Sequence, residues 1–457
     1  MPFEETEFFM NIKIPQPAEY ILHTLERCGY EAYTVGGCVR DSLLGRSPHD
    51  WDICTSATPS QIIAAFPNKD IIPTGLQHGT VTIAFHHVPY EITTYRIDGT
   101  YSDNRRPDSV SFTTSLEEDL QRRDFTINAM AYSDTRGLAD PYRGQQDLTD
   151  QVIRCVGNAD ERFNEDGLRI LRALRFSAQL GFSIEKETSD SVHRNRRLLD
   201  NIAQERIHAE LEKALASSHP AFLFSSYRDV AAQIIPELEA CFDFQQNSPY
   251  HIYDVWTHTL KALEHTSQDL VVRWAILFHD IGKPACYFED EKGVGHFKGH
   301  DKKSAEMADA IMRRMKFDKY TRDNAKELIY YHDVSIQPTE KDIKKWLNRI
   351  GEEQFRRLLE VKRADRMAHA PQYIEDGLSS FDQIELILNH VLEDNQCFSI
   401  KDLAVTGKDL IKIGYKPGVV LGAQLNILLD QVISGELENE KEVLIQTALK
   451  NLSTSEE

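Results

Sequence analysis

A change of hydrophobic rhythm near residue 158 narrows the folds open to this 457-residue chain. Before it, short apolar, β-branched runs at 33–35, 51–54, 80–85 and 90–94 alternate with turn residues and with helical stretches at 39–44 and 59–66. Such runs bounded by turn signals read as strands, so this part is expected to be α/β. After it, apolar residues recur every three or four positions to the C-terminus, most clearly at 169–180, 271–277, 302–315 and 355–366. That spacing puts them on one face of a helix. The expectation is an α/β head followed by an all-helical remainder, with no fixed-period repeat. At roughly 100–200 residues per domain the length predicts three or four domains. Breaks near Asn158, at Ser248-Pro249 and across 371–395 divide the chain into 1–157, 158–248, 249–370 and 371–457.

Charge restricts the partners. Acidic residues outnumber basic ones, 72 to 52, for a formal charge of −20. The overall field of such a protein does not attract nucleic acid, so any nucleic-acid partner must be held by a local basic surface. The seven cysteines are scattered, odd in number and form no C-x-x-C pair. They argue against a disulfide framework or a thiolate zinc site and fit a reducing, cytoplasmic compartment. No apolar run approaches the ~20 residues that span a bilayer, so no membrane partner is expected. The N-terminal stretch MPFEETEFFMNIKIPQP is acidic with a short apolar patch, unlike a secretory signal.

The strongest local pattern is VGGCVRDSLLG at 35–45 followed by HDWDICT at 49–55. Asp50 and Asp52 are two apart, and a strand turns residues i and i+2 to the same face. Two neighbouring carboxylates repel unless a cation lies between them. A pair of Mg²⁺ ions suits oxygen ligands and substrate phosphates, and can activate a hydroxyl while stabilising a leaving pyrophosphate. Gly36-Gly37 precedes a helix expected to start near Cys38. Glycine admits close approach of a phosphate, and the helix start offers free N–H donors. Arg40, in the first turn, can neutralise triphosphate oxygens. A lone D-x-D is common in solvated turns; at this spacing from GG-x-VRD it describes a nucleotidyl-transfer site. Glu91, on VPYEITTYR, is the candidate third carboxylate, a surface strand glutamate being the alternative.

Five segments, in order, resemble the class II tRNA nucleotidyltransferases of bacteria, the CCA-adding enzymes and their relatives the A-adding enzymes and poly(A) polymerases. These are GGCVRD with DWD, RRDFTINAMAY at 122–132, DPYRGQQDL at 140–148, ERFNEDGLRILRALRF at 161–176 and ERIHAELEKAL at 205–215. The resemblance implies a polymerase β-like nucleotidyltransferase head and a helical neck, body and tail, in an elongated, multidomain chain. It also implies that Arg123 touches the incoming nucleotide, that Asp124 binds the ribose, and that Arg172 and Arg175 contact the nucleotide or order its pocket. A 2′-hydroxyl read by a carboxylate favours ribonucleotides, so RNA rather than DNA is the expected polymer. The polar stretch DGTYSDNRRPDSVSF at 98–112 resembles the family's loop associated with adding the final A.

Asp166 and Arg169 are three apart and are expected to share a helix face. A carboxylate only accepts hydrogen bonds and a guanidinium only donates them. Cytosine and adenine each present an amino donor beside a ring-nitrogen acceptor, which this pair complements. Guanine and uracil reverse both roles and would leave buried groups unpaired.

A second constellation lies in the helical part. His258, His279-Asp280 and Asp365 resemble the H…HD…D order of the HD metal-dependent phosphohydrolases, with Lys283, His300 and His332 at further positions of interest. Imidazoles with carboxylates suit one or two divalent ions, a second metal site beside the Mg²⁺ of the head. The tail from 405 to 449 resembles the family's tRNA-holding end; Lys408, Lys412 and Lys416 either meet phosphates or form a solvated face.

The expected activity is addition or repair of the tRNA 3′-terminal CCA from CTP and ATP. An A-adding enzyme or poly(A) polymerase is one alternative, an HD-type phosphohydrolase acting on RNA ends or nucleotides a second.

Overall fold

The computed structural model describes residues 12–72, 75–85, 88–99, 109–394 and 396–454. They fall into two compact units, Met1–Pro236 and Glu237–Glu457.

The first unit opens with helix α1 (Gln16–Arg27), whose Ile21, Leu22 and Leu25 face inward at helical spacing. Its strands are β1 (Ala32–Val35), β2 (Ile53–Thr55), β3 (Ile71–Ile72), β4 (Thr80–Phe85), β5 (Val88–Thr94), β6 (Arg96–Asp98), β7 (Val110–Phe112), β8 (Ala131–Ser133) and β9 (Gly137–Ala139), followed by a parallel pair, β10 (Val152–Ile153) with β11 (Ser183–Ile184). Seven of them form one mixed sheet in the order β3-β4-β5-β2-β1-β8-β9, while β6 and β7 pair as a separate antiparallel ribbon. The β2–β5 pair is parallel, with Ile53 opposite Ile92, and β1 runs antiparallel to both β2 and β8. Helix α2 (Gly37–Leu43) follows β1, and α3 (Pro59–Ala65) follows β2 behind a Thr58/Gln61 capping box. Ala18, Leu22, Ile53, Ile62, Val81 and Ile92 pack one core of this α/β layer.

The change at residue 158 is as expected. After α4 (Leu116–Gln121) and α5 (Gly144–Thr149), Asn158 caps α6 (Ala159–Glu165) through its side chain, and α7 (Leu168–Leu180), α8 (Lys186–Asn195) and α9 (Gln204–Leu215) follow. Three expectations shift. Asp50 and Asp52 precede β2 instead of lying within it, although the Val35 N–H donates to the Asp52 carbonyl at 3.0 Å and carries the ladder one residue further. Asp166 is extended (φ −138°, ψ 104°) at the end of α6, off the helix that carries Arg169. The short strands β3 and β6 to β11 were not anticipated, β11 lying within the stretch expected to be all-helical. Residues 100–108, the centre of the expected loop, lie outside the described residues.

The second unit is helical apart from a two-stranded ribbon, Phe288–Glu289 with Gly295–His296. Aspartates cap two of its central helices: Asp254 before Val255–Glu264 and Asp269 before Leu270–Phe278. Glu340–Met367 breaks at Gly351, whose φ of 78° a helix cannot hold. The last three helices, Gly407–Lys412, Val419–Ile433 and Lys441–Thr454, enclose their own core around Leu410, Leu428, Leu429 and Leu444. Asp409 serves there as the third residue of a capping box with Thr406, and Lys408, Lys412 and Lys416 are exposed.

Candidate active site and a second buried cluster

The sheet register builds the first site. Because Ile53 pairs with Ile92 in parallel, Asp52 comes level with Glu91, and both border a cleft with Arg122 and Arg123. Burial and the charges of Asp50 and Glu91 push the Asp52 carboxyl up to about 6, with Arg123 pulling the other way. Asp52 is nonetheless open to solvent at the cleft. A crowded, exposed set of carboxylates is what a divalent cation relieves, so the residues present fit a metal.

Two guanidiniums flank the Gly36-Gly37 turn. Gly36 adopts φ 81°, and a Cβ there would stand 3.2 Å from Arg123 Nη1. A Cβ on Gly37 would meet Arg40 Nη2 at 3.7 Å. Glycine is thus required at Gly36, for its conformation and for its close approach to Arg123, while at Gly37 a Cβ would make only an ordinary contact with Arg40. Arg40 also donates to Asn128 Oδ1 at 2.7 Å, pairs with Asp41, and lies over the Phe176 ring at 5.0 Å.

Asp124 is buried beside helix α7. It accepts from Arg172 Nε and Nη2 at 2.8 and 2.5 Å, from the Phe125 N–H and from Asn128 Nδ2. Asp166 accepts from the N–H of Leu168, the first residue of α7, at 3.1 Å, and from Arg206 Nη2 of α9 at 3.0 Å. A short side-chain acceptor that bonds a nearby backbone N–H competes with the helical ladder, which suits Asp166 to the break between α6 and α7. Arg169 donates to Glu165 at 2.6 Å and to the Arg122 carbonyl at 2.9 Å. Asp166 and Arg169 still adjoin: the Arg169 N–H donates to the Asp166 carbonyl at 2.9 Å. Arg175 turns away, into a buried ion pair with Glu210. Sequence reasoning missed Asp119, Asn128, Glu165, Phe176 and Arg206. Of these, Asp119 was legible from its helical spacing to Arg122 and Arg123.

The second unit gathers its own cluster. His258 Nε2 lies 2.8 Å from Asp365 and 3.5 Å from Asp280; His279 Nε2 lies 3.1 Å from Asp280 and 3.5 Å from Asp365. His300 and His332 approach the other Asp280 oxygen at 3.4 and 3.7 Å, and Lys283 Nζ stands 2.7 Å from Asp280. Each of the four rings has Nδ1 against a backbone carbonyl: His258 on Ala368, His279 on Ile276, His300 on Phe297 and His332 on Ile329, at 2.6–3.2 Å. A carbonyl only accepts, so each Nδ1 donates to it and each Nε2 is left facing the carboxylates. Against burial, Asp280 and Asp365 hold the His279 ring above its ordinary value, while burial pushes His258 and His332 below theirs. His369, four residues after Asp365 and just past the end of that helix, completes the surround at 3.4 Å and was also missed.

Residues 32–154 match the poly(A) polymerase head domain, and 301–448 match domain 2 of tRNA nucleotidyltransferases. The fold and the carboxylate cleft therefore define a nucleotidyltransferase of the poly(A) polymerase head type. The chain is 33% identical to the CCA-adding enzyme of Ligilactobacillus salivarius, across 94% of this chain and 95% of that protein. It is 35% identical to that of Levilactobacillus brevis, across 94% and 96%. Among solved structures it resembles the Bacillus stearothermophilus CCA-adding enzyme in complex with CTP, with a TM-score of 0.66 and 28% identity over 97% of this chain and 99% of that one. The chain belongs to the CCA-adding enzyme family.

Proposed function

We propose that this enzyme adds or repairs the 3′-terminal CCA of tRNA, using CTP and ATP and releasing pyrophosphate. The observation that carries the reading is the adjacency of three elements in one unit: the Asp50, Asp52 and Glu91 carboxylates, the arginine-flanked Gly36-Gly37 turn, and the Asp166–Arg169 junction. Asp50 and Asp52 would hold Mg²⁺, which supplies activation of the 3′-hydroxyl and charge neutralisation on the triphosphate. Arg40 and Arg123 bind and orient the triphosphate beside Gly37. Asp166 keeps lone pairs beyond those facing Leu168 and Arg206, and Arg169 keeps N–H donors beyond those on Glu165 and Arg122. Asp166 accepts the amino group of cytosine or adenine while Arg169 donates to the ring nitrogen. Arg172 orders the pocket through Asp124, which contributes the ribose acceptor, and Arg175 braces it from below.

The same reading divides the chain into a head (1–157), neck (158–248), body (249–370) and tail (371–457). The exposed tail lysines offer a local phosphate grip that an acidic protein needs. No helix among the described residues is long and apolar enough to cross a membrane. With seven free thiols, a cytoplasmic setting follows from the reading.

Incorporation assays on tRNA lacking CCA, tRNA ending in C and tRNA ending in CC test it. Completion of all three with CTP and ATP is expected. Failure to use CTP would leave an A-adding enzyme or poly(A) polymerase.

A second reading rests on the four Nε2 atoms gathered around Asp280 and Asp365. Asp280 and Asp365 would hold a divalent ion with His258 and His279, and His300 with His332 would complete a second position. The cluster borders a cavity of about 950 Å³ that also admits Lys283, Lys362 and Arg366. Bound metal would supply a water nucleophile for a phosphoester. Divalent-ion content of desalted full-length protein tests it: His258→Ala and Asp280→Ala should lose metal while CTP incorporation continues. Equal metal content in all three proteins would exclude this site.

A further inference from the structure

One buried carboxylate near the transfer centre has no role in the chemistry above. Asp119, on α4, is 1% exposed. Its Oδ1 accepts from Arg122 Nε and Nη2 at 3.0 and 2.8 Å and from the Arg96 backbone N–H at 3.3 Å. Its Oδ2 accepts from Arg123 Nη2 at 3.3 Å. The opposite terminus of Arg123, Nη1, lies against Gly36, and the side chain borders the cleft beside Asp52 and Glu91. One guanidinium therefore bridges a buried anion and an open cluster of anions.

A guanidinium only donates, and its fork is planar and rigid. Tethered at Nη2, Arg123 presents a single edge to the cleft. Untethered, it would fold toward the largest local excess of negative charge, which is Asp52 with Asp50 and Glu91. There it would compete with a divalent cation for the same oxygens. The absence of a side chain at Gly36 gives the tethered orientation its room. Arg122, the second group on Asp119, in turn offers its carbonyl to Arg169.

We propose that Asp119 is a positioning residue for nucleotidyl transfer, anchoring Arg123 so that it faces the triphosphate without occupying the metal-binding carboxylates. The proposal rests on Asp50 and Asp52 forming the transfer centre. Asp119 touches neither substrate nor metal and acts through Arg123.

Equilibrium binding of CTP to the full-length protein across a Mg²⁺ titration tests this without turnover. Asp119→Asn should raise the Mg²⁺ needed for half-maximal CTP binding about tenfold, one interaction's worth. Leu120→Ala, the adjacent fully buried residue, should lower Tm yet keep the wild-type Mg²⁺ requirement. In Asp119→Asn/Arg123→Gln the misplaced cation is gone, so the requirement should equal that of Arg123→Gln alone, a comparison that stands even if Asp119→Asn does not fold. A wild-type requirement in folded Asp119→Asn, a matching shift in Leu120→Ala, or a double variant that differs from Arg123→Gln would each overturn the proposal. The underlying reading fails separately: Asp52→Asn with undiminished CTP incorporation removes the transfer centre itself. An inactive Asp52→Asn beside an Asp119→Asn of normal Mg²⁺ requirement removes only the role of Asp119.

Discussion

Arg172 clasps the Asp124 carboxylate with two donors, Nε at 2.8 Å and Nη2 at 2.5 Å, and so ties the RRDFT segment of the head to helix α7. Burial alone would raise the Asp124 pKa, but Arg172 and Arg169 hold it down to about 2. A carboxylate depressed in the fold stabilises it above the ordinary value of 3.8, and that contribution fades as pH falls toward 2. Arg172→Ala leaves the charge buried and unmatched. Because Arg172 is one-third exposed, the expected loss is about 2 kcal/mol, below the ~3–5 kcal/mol of a fully buried pair. Urea unfolding at pH 7 measures it, and the deficit should narrow as pH approaches 3.

Asp52 predicts the opposite pH trend. Its carboxyl is raised from 3.8 to about 6, first by burial and then by Asp50. A raised carboxylate favours the protonated fold, so its stabilising contribution is complete below 3.8 and is lost as pH rises through 6. Asp52→Asn mimics the protonated form. In metal-free buffer its Tm should exceed that of wild type by about 1–3 °C at pH 7.5. The gap should shrink toward pH 4, and saturating Mg²⁺ should close or invert it at pH 7.5. A variant less stable than wild type at pH 7.5 without metal would contradict the crowding described for the cleft.

Arg175 concerns stability more than nucleotide choice. It and Glu210 are each at most 7% exposed and pair at 3.2 Å between α7 and α9. Glu210→Ala should destabilise the protein by about 3–5 kcal/mol, since the guanidinium is left buried without its anion. Thermal and urea unfolding check the loss; whatever protein remains folded should keep its preference for CTP and ATP.

Much of the head was legible because its signals are local. The switch at Asn158 shows in the period of apolar residues, and Asn158 itself caps α6. Tertiary partners were not legible. Arg169, Arg172 and Arg175 look like one face at three-residue steps, but each step turns about 60° short of a full revolution. By Arg175 the drift has carried the side chain into the packing against α9, where Glu210 meets it. Asp166 looked helical by spacing, yet its acceptor prefers the Leu168 N–H, and the chain opens into two helices there. The structure brings His258, His279, Asp280 and Asp365 of the sequence pattern together. His369, past the end of the Asp365 helix, carries no periodic signal, and only the folded chain brings it to Asp365.

The central claim is that Asp166 and Arg169 read the amino-bearing edge of cytosine and adenine. Single-nucleotide incorporation into tRNA, with CTP, ATP, GTP and UTP supplied separately to wild type and to Asp166→Ala, measures it directly. Wild type should use CTP on ends awaiting C and ATP on the end awaiting A, rejecting GTP and UTP by at least about a hundredfold. Asp166→Ala should lose that discrimination together with most of its rate. Comparable use of GTP or UTP by wild type, or undiminished selectivity in Asp166→Ala, would contradict the account.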